Sequence, residues 1–497
     1  MQLLRALVFL FLVSMLVCIG LLGLNCSQKD RSNPLDPDNP ATHGDPFELT
    51  LTMKPSGVRL DWESPPLSAV AGFRIYRSRE AESGFEKIAD IAKNEHTYID
   101  AAAILAVTYF YRIAAIDPQG RESQRSRVRS VLTEEIPLFG APISYSLSIS
   151  FGGLSPADID KDGDVDLIAL GGGGVNIVNN DGHAGFSTSR TYENDSISGR
   201  PYTADLDGDA DDEIICGKVI FWNRGGTFDS TTYFRERNLF PTDLDSDGDY
   251  DLVGSLYREM GDPEVGLYEN SGQATGIFLG HWRWAFYTDV HHNELVAADM
   301  DGDGDNDIVT WMSSYDSYNS LQILLNVGNW ELSRGDAYYL PSWPTTVSVR
   351  DLNRDALPDL SVAVRSDRED YMGNGKRFQV FRNSGSGQFS SPDVYQDASW
   401  RYDGTSFNRE IILTDITAFD ADGNGSLDLA IAVGWLNVIS IWKNAGDGTF
   451  QLLGNFATGP WPGYICSADF DGDGDNDLAT IGWMWDNGLS ILLNNSR

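Results

Sequence analysis

Basic charge is scarce in this sequence: 36 Lys and Arg stand against 73 Asp and Glu, a formal charge of −37 over 497 residues. A surface of that sign repels nucleic-acid phosphates and anionic lipid headgroups, which excludes nucleic acid as a partner and makes cations the natural counter-ions. Cysteine is scarcer still, with four residues. Cys18 falls in an apolar leader and Cys26 just behind it. Only Cys216 and Cys466 remain in the body of the chain, far apart in strand-like stretches, so two buried thiols are expected and no disulfide framework. The six histidines form no zinc or nucleophile pattern, and no GxSxG, HExxH or P-loop phrase occurs, so no local motif announces an enzyme. An RGD tripeptide is missing too.

Long apolar runs are confined to Ala6–Leu24, behind Arg5. Residues 1–26 read in three ways: a cleaved signal, a membrane anchor, or an export segment resembling a bacterial lipoprotein's, with Cys26 as the lipid acceptor. Gly23 and Asn25 depart from the usual lipoprotein box, which has Leu and a small residue there. All three readings export the rest of the chain, to the cell surface or outer membrane or into the medium. Residues 27–45, rich in Pro, Asp and Asn, form an extended linker with no apolar period.

From 46 to 134 the text becomes seven short alternating strands separated by turn residues, which predicts a small β-sandwich. Trp62, Tyr76, Tyr109 and Tyr111, with the phrase IAAIDPQGRES, resemble the fibronectin type III pattern. The resemblance implies a spacer.

Residues 135–497 repeat one phrase seven times, from starts 47, 38, 56, 52, 69 and 49 residues apart. Its oxygen-bearing positions 1, 3, 5, 7 and 9 are Asp158, Asp160, Asp162, Asp164 and Asp166 in the first copy, and Asp205, Asp207, Asp209, Asp211 and Glu213 in the second. The third has Asp243, Asp245, Asp247, Asp249 and Asp251; the fourth Asp299, Asp301, Asp303, Asp305 and Asp307. The fifth has Asp351, Asn353, Asp355, Leu357 and Asp359, the sixth Asp420, Asp422, Asn424, Ser426 and Asp428, and the seventh Asp469, Asp471, Asp473, Asp475 and Asp477. An apolar strand follows each phrase, and most copies then carry a second strand ending in Asn before a glycine-rich turn. One such unit is a four-stranded propeller blade. The last copy stops one strand short, so residues 141–152 are predicted to supply its outer strand and close the ring. The fold class is therefore all-β: a small sandwich followed by a seven-bladed β-propeller.

Side chains at positions 1, 3, 5 and 9 and the main-chain carbonyl at 7 can surround one hard cation. Calcium takes 6–8 oxygens in tolerant geometry, whereas zinc wants His or Cys, and an EF-hand would need Glu at position 12 and flanking helices. Up to seven Ca²⁺ are expected. Gly163, Gly248, Gly304, Gly425 and Gly474 at position 6 permit a positive φ, while Ala210 and Ala356 replace that glycine. Loops one, three, four and seven should bind most strongly and 351–359, with three carboxylates, most weakly.

The repeats resemble FG-GAP and VCBS-type repeats of the integrin α-subunit propeller and of bacterial surface proteins. That resemblance implies calcium loops on one face and ligand approach on the other. Trp343, Trp400, Tyr402, Trp435, Trp461, Trp483 and Trp485 would then collect on the ligand face, with Tyr257, Tyr315 and Tyr318. Two readings of these aromatics stand side by side, a platform for a protein or glycan partner and packing between blades. The expected function is calcium-dependent surface recognition or adhesion, without catalysis. A polysaccharide lyase or hydrolase, or a structural part of the cell envelope, are the alternatives.

Overall fold

The computed structural model describes residues 48–496 apart from 55–56, 64–69, 105–106, 134–137, 147–151, 195, 236, 257–263, 272–277, 286–293, 313–318, 341–342, 366–376, 398–399, 401–411 and 483–487. The leader, Cys26 and the linker fall outside these residues. Two compact units divide the chain, 1–137 and 138–497. Among the described residues no helix is long and apolar enough to cross a membrane.

In the first unit the seven strand-like phrases all form strands, from Glu48–Lys54 to Arg129–Leu132. The first, second and fifth pair into one sheet; the fourth, third, sixth and seventh pair into another. Period-two alternation sends Val58, Leu60 and Trp62 inward from the second strand. They meet Phe73, Ile75, Tyr109, Tyr111 and Ile113 in one core. Buried Asp100 accepts from the Tyr111 hydroxyl at 2.8 Å and pairs with Arg77 at 2.8 Å, so its charge is compensated where water is excluded.

In the second unit the described residues form seven four-stranded antiparallel sheets. We number them in chain order: 154–193, 201–233, 237–285, 294–340, 343–395, 413–457, and 462–492 joined by Ile143–Ser146. The predicted borrowed strand pairs as expected, with Ile143 opposite Ile491 and Ser146 opposite Gly488. Second strands such as Asp166–Gly171, Asp428–Val433 and Asp477–Gly482 are buried along their whole length. Their unbroken apolar text follows from this, since a neighbouring sheet covers each face. Leu206 and Ile215 of sheet two share a core with Leu239 and Leu252 of sheet three, and the same holds for each later neighbour. Cys466, Phe470 and Ile481 of sheet seven share one with Leu154 and Leu167 of sheet one. Repeated four-stranded sheets packed in this way fit a β-propeller.

Cys216 and Cys466 are buried free thiols. Burial pushes the Cys466 thiol up to about 12, so it stays protonated and inert.

Candidate metal centre

Every aspartate-rich phrase forms the loop between the first and second strands of its sheet. Position 1 ties the turn together: Asp299 accepts the N–H of Gly302 at 2.7 Å and of Gly304 at 3.0 Å, and Asp243, Asp205 and Asp469 do the same in their loops. The position 5 side chain accepts the N–H of position 7, as Asp303 does from Asp305 at 3.0 Å and Asn424 from Ser426 at 2.7 Å. These bonds curl the loop so that carboxylate oxygens converge. Oxygens of Asp158, Asp160 and Asp166 lie within 4.8 Å of one another, as do those of Asp205, Asp207 and Glu213, of Asp243, Asp245 and Asp251, of Asp299, Asp301 and Asp303, and of Asp420, Asp422 and Asp428. Such groups could hold metal ions. The Oδ1 atoms of Asp207, Asp249 and Asp422 are buried with no hydrogen-bond partner, and an unpaired carboxylate oxygen there is costly unless a cation meets it. All-oxygen donors of this kind fit a hard divalent ion.

Position 9 has a larger role than its place in a ligand set. Asp166, Glu213, Asp251, Asp307, Asp359, Asp428 and Asp477 are at most 1% exposed. Each accepts two backbone N–H groups at 2.7–3.2 Å, one from position 2 of its loop and one from the Asn that closes the third strand or follows it. Burial pushes Glu213, Asp251, Asp307 and Asp477 up to about 7, with neighbouring acids adding to it and the two N–H groups opposing it. Asp166, Asp359 and Asp428 are pushed up to about 6 for the same reasons.

That Asn is the functional residue the sequence reading passed over. In six sheets its Nδ2 donates at 2.7–2.9 Å to the position 2 carbonyl of the preceding sheet: Asn180 to Phe470, Asn270 to Leu206, Asn326 to Leu244, Asn383 to Met300, Asn444 to Leu352 and Asn494 to Ala421. Its second amide hydrogen goes to a carbonyl of its own sheet, as from Asn444 to Leu427 at 2.9 Å. Asn223 makes the bond within its own sheet, to Asp212. The recurrence of Asn before each glycine-rich turn was the available signal.

Backbone conformation also corrects the reading of the glycines. Positions 4 and 6 both need positive φ, so Ala210 and Ala356 sit at φ 70° and 69°. Glycine relieves that strain where no neighbour crowds it, as at Gly163 and Gly248. Ala210→Gly and Ala356→Gly are each expected to stabilise the chain by about 0.5–1 kcal/mol. Urea denaturation of each variant measures it.

The aromatics divide. Trp400, expected on the ligand face, is 0% exposed: it packs 5.9 Å from Trp442 in the core shared by sheets five and six, and its indole N–H donates to Ser440 Oγ. It is a packing residue. Trp343 opens the first strand of sheet five and is half-buried. Trp435 and Trp461 are both half-buried, with ring centroids 3.8 Å apart. They stand on the turn between strands two and three of sheet six and on the approach to sheet seven, at the strand ends opposite the aspartate loops. Tyr402, Trp483, Trp485, Tyr257, Tyr315 and Tyr318 lie outside the described residues.

First strands of sheets two to seven converge on a cavity of about 480 Å³, lined among others by Arg200, Phe240, Trp311, Asp415 and Tyr464. Arg200, just ahead of sheet two, ion-pairs there with Asp415 of sheet six, which also accepts the N–H groups of Ile416 and Ile465 at 2.9 Å. Asp415 was legible only as a lone acid inside the apolar strand LTDITAF.

Residues 158–216, 243–310, 299–362 and 420–480 match the FG-GAP-like repeat. The chain therefore carries FG-GAP-like repeats. Among solved structures it is similar to BBS1N, determined in complex with ARL6DN, at 11% identity over 72% of this chain and 97% of that one, with a TM-score of 0.48. The rhamnogalacturonan lyase YesW matches at 14% identity over 88% of this chain and 74% of that one, TM-score 0.32. A Fn3-like protein from Clostridium thermocellum matches at 20% identity over 18% of this chain and 95% of that one, TM-score 0.16. No curated protein matches the chain.

Proposed function

We propose that this chain is a calcium-stapled, seven-bladed recognition propeller, held behind a fibronectin type III-like spacer at an extracellular surface by its N-terminal lipid or anchor. The loops take Ca²⁺ because their donors are all oxygen, and Asp207, Asp249 and Asp422 each keep a buried oxygen without a partner. Bound ions would sit between positions 1, 3, 5 and 9 and supply the positive charge the loops lack. One observation carries the recognition reading. The acids are spent on holding their own loops and sheets together, while the half-buried Trp435 and Trp461 rings are gathered at the other end.

A ligand there is an extracellular protein or a glycan, since paired indoles suit stacking on a sugar face or anchoring in a partner's pocket. A glycan array run beside a polysaccharide-depolymerisation assay tests this. Retention of a glycan without product growth, weakened at least about tenfold in the Trp435→Ala, Trp461→Ala double variant, is the expected result. Product growth would replace this reading with that of a lyase or hydrolase. Co-purification with envelope proteins and no glycan retention would favour a structural role.

A further inference from the structure

Position 4 of the loop alternates along the chain. Loops one, three and five carry Lys161, Ser246 and Arg354; loops two, four, six and seven carry Gly208, Gly302, Gly423 and Gly472. All seven residues adopt φ between 60° and 80°, a conformation natural to glycine and strained for the other three. The three side chains share a destination. Lys161 pairs with the Asp211 carboxylate and donates to the Ala210 carbonyl, both in loop two. Ser246 Oγ donates to Asp305 Oδ1 in loop four at 2.9 Å. Arg354 Nη2 donates to the Asn424 carbonyl in loop six at 3.3 Å. Each lands on positions 5–7 of the next loop, the stretch whose carbonyl at 7 is a cation ligand in the proposed site. A glycine has no side chain to make that reach. In loop three, which follows Gly208, the position 7 acid Asp249 keeps its Oδ1 buried and without a hydrogen-bond partner.

We propose that the cation sites are linked in three neighbouring pairs, one with two, three with four and five with six. Lys161, Ser246 and Arg354 act as positioning residues for the loop after their own. The inference rests on the calcium reading above. Its physical basis is pre-organisation: a loop whose 5–7 segment is held from outside orders at lower cost when the ion arrives. The hydrogen bonds and the ion pair of the three side chains fall on the two carbonyls and on the position 7 acids of the neighbouring loop, so the effect runs through loop geometry. Local strain retained at three alternate positions is what such a role would maintain.

Hydrogen–deuterium exchange of the full chain, titrated with calcium and read peptide by peptide, tests the pairing. Lys161→Gly, Ser246→Gly and Arg354→Gly each remove the reach and relax the backbone of their own loop. The calcium midpoint for protection should rise about three- to fivefold at 205–213, 299–307 and 420–428 respectively, the scale of an exposed polar contact. The shift at each variant's own loop should be smaller, and Lys161→Arg should restore the midpoint at 205–213. Calcium-dependent protection with no shift in the following loops, or a shift confined to the substituted loop, overturns the pairing alone. Protection independent of calcium in every loop of the unsubstituted chain overturns the calcium reading and the pairing together.

Discussion

Removing calcium with a strong chelator should lower the melting temperature by roughly 10–20 °C. An ion held at a hundredfold excess over its Kd contributes about 2.7 kcal/mol to the folded state, and four strong loops make such contributions together. One kcal/mol shifts the melting point of a unit this large by about 2 °C. Differential scanning fluorimetry with and without chelator measures the drop, and an unchanged melting curve would remove calcium from the account. The direction of pH dependence should reverse between the two conditions. Without metal, Glu213, Asp251, Asp307 and Asp477 hold folded pKa values of about 7, above those of the unfolded chain. The folded state then binds more protons, so stability is full below about pH 4 and falls as pH rises through 7, as far as these groups control it. With calcium bound the same acids are held ionised, and acidification toward pH 5 displaces the ion and destabilises the chain. Melting series at pH 5 and 7.5, with and without chelator, should therefore cross.

Asp428→Ala should cost roughly 3–5 kcal/mol and cost it even in chelator. The substitution strips the acceptor from the N–H groups of Ala421 and Asn444, held at 3.0 and 2.7 Å inside the protein, and each orphaned donor costs about 1–3 kcal/mol. Asn444 suffers further, since the same residue carries the bond to Leu352 of the preceding sheet. Asn444→Ala should cost about 2–4 kcal/mol, and the double variant should fall well short of the sum because the two residues form one network. Guanidinium unfolding at fixed metal concentration reads all three. A loss seen only when calcium is present would make Asp428 a ligand and nothing more.

Much of the fold was written in period and spacing. The alternation in GVRLDWE, the unbroken apolar text of DLIALG and DLAIAV, and the missing strand of the last copy each translate directly into burial and pairing. The loops were legible as acid-rich turns, because five oxygens at alternate positions leave little else to do. Their division of labour was not. That the position 9 acid also accepts two backbone N–H groups depends on the third strand folding back some 10–24 residues later, as Asn223 does on Glu213 and Asn383 on Asp359. Position 4 was overlooked because Lys161, Ser246 and Arg354 conceal, under ordinary side chains, the conformation that Gly302 and Gly472 advertise. Trp400 misled for a related reason: loop text does not tell that a ring turns back into the core between two sheets.

The pairing of Ile143–Ser146 with Gly488–Leu492 sets an order of events in time. Sheets one to six take all four strands from consecutive text, so each can finish as its last strand is synthesised. The seventh waits for partners made some 345 residues apart, a long loop closure and a slow one. Until it completes, the early strand is an unclaimed edge, and the six finished sheets lack the packing in which Phe470 and Leu154 share one core. The interval between making the first of those strands and the last is when this chain is most exposed to pairing with a copy of itself.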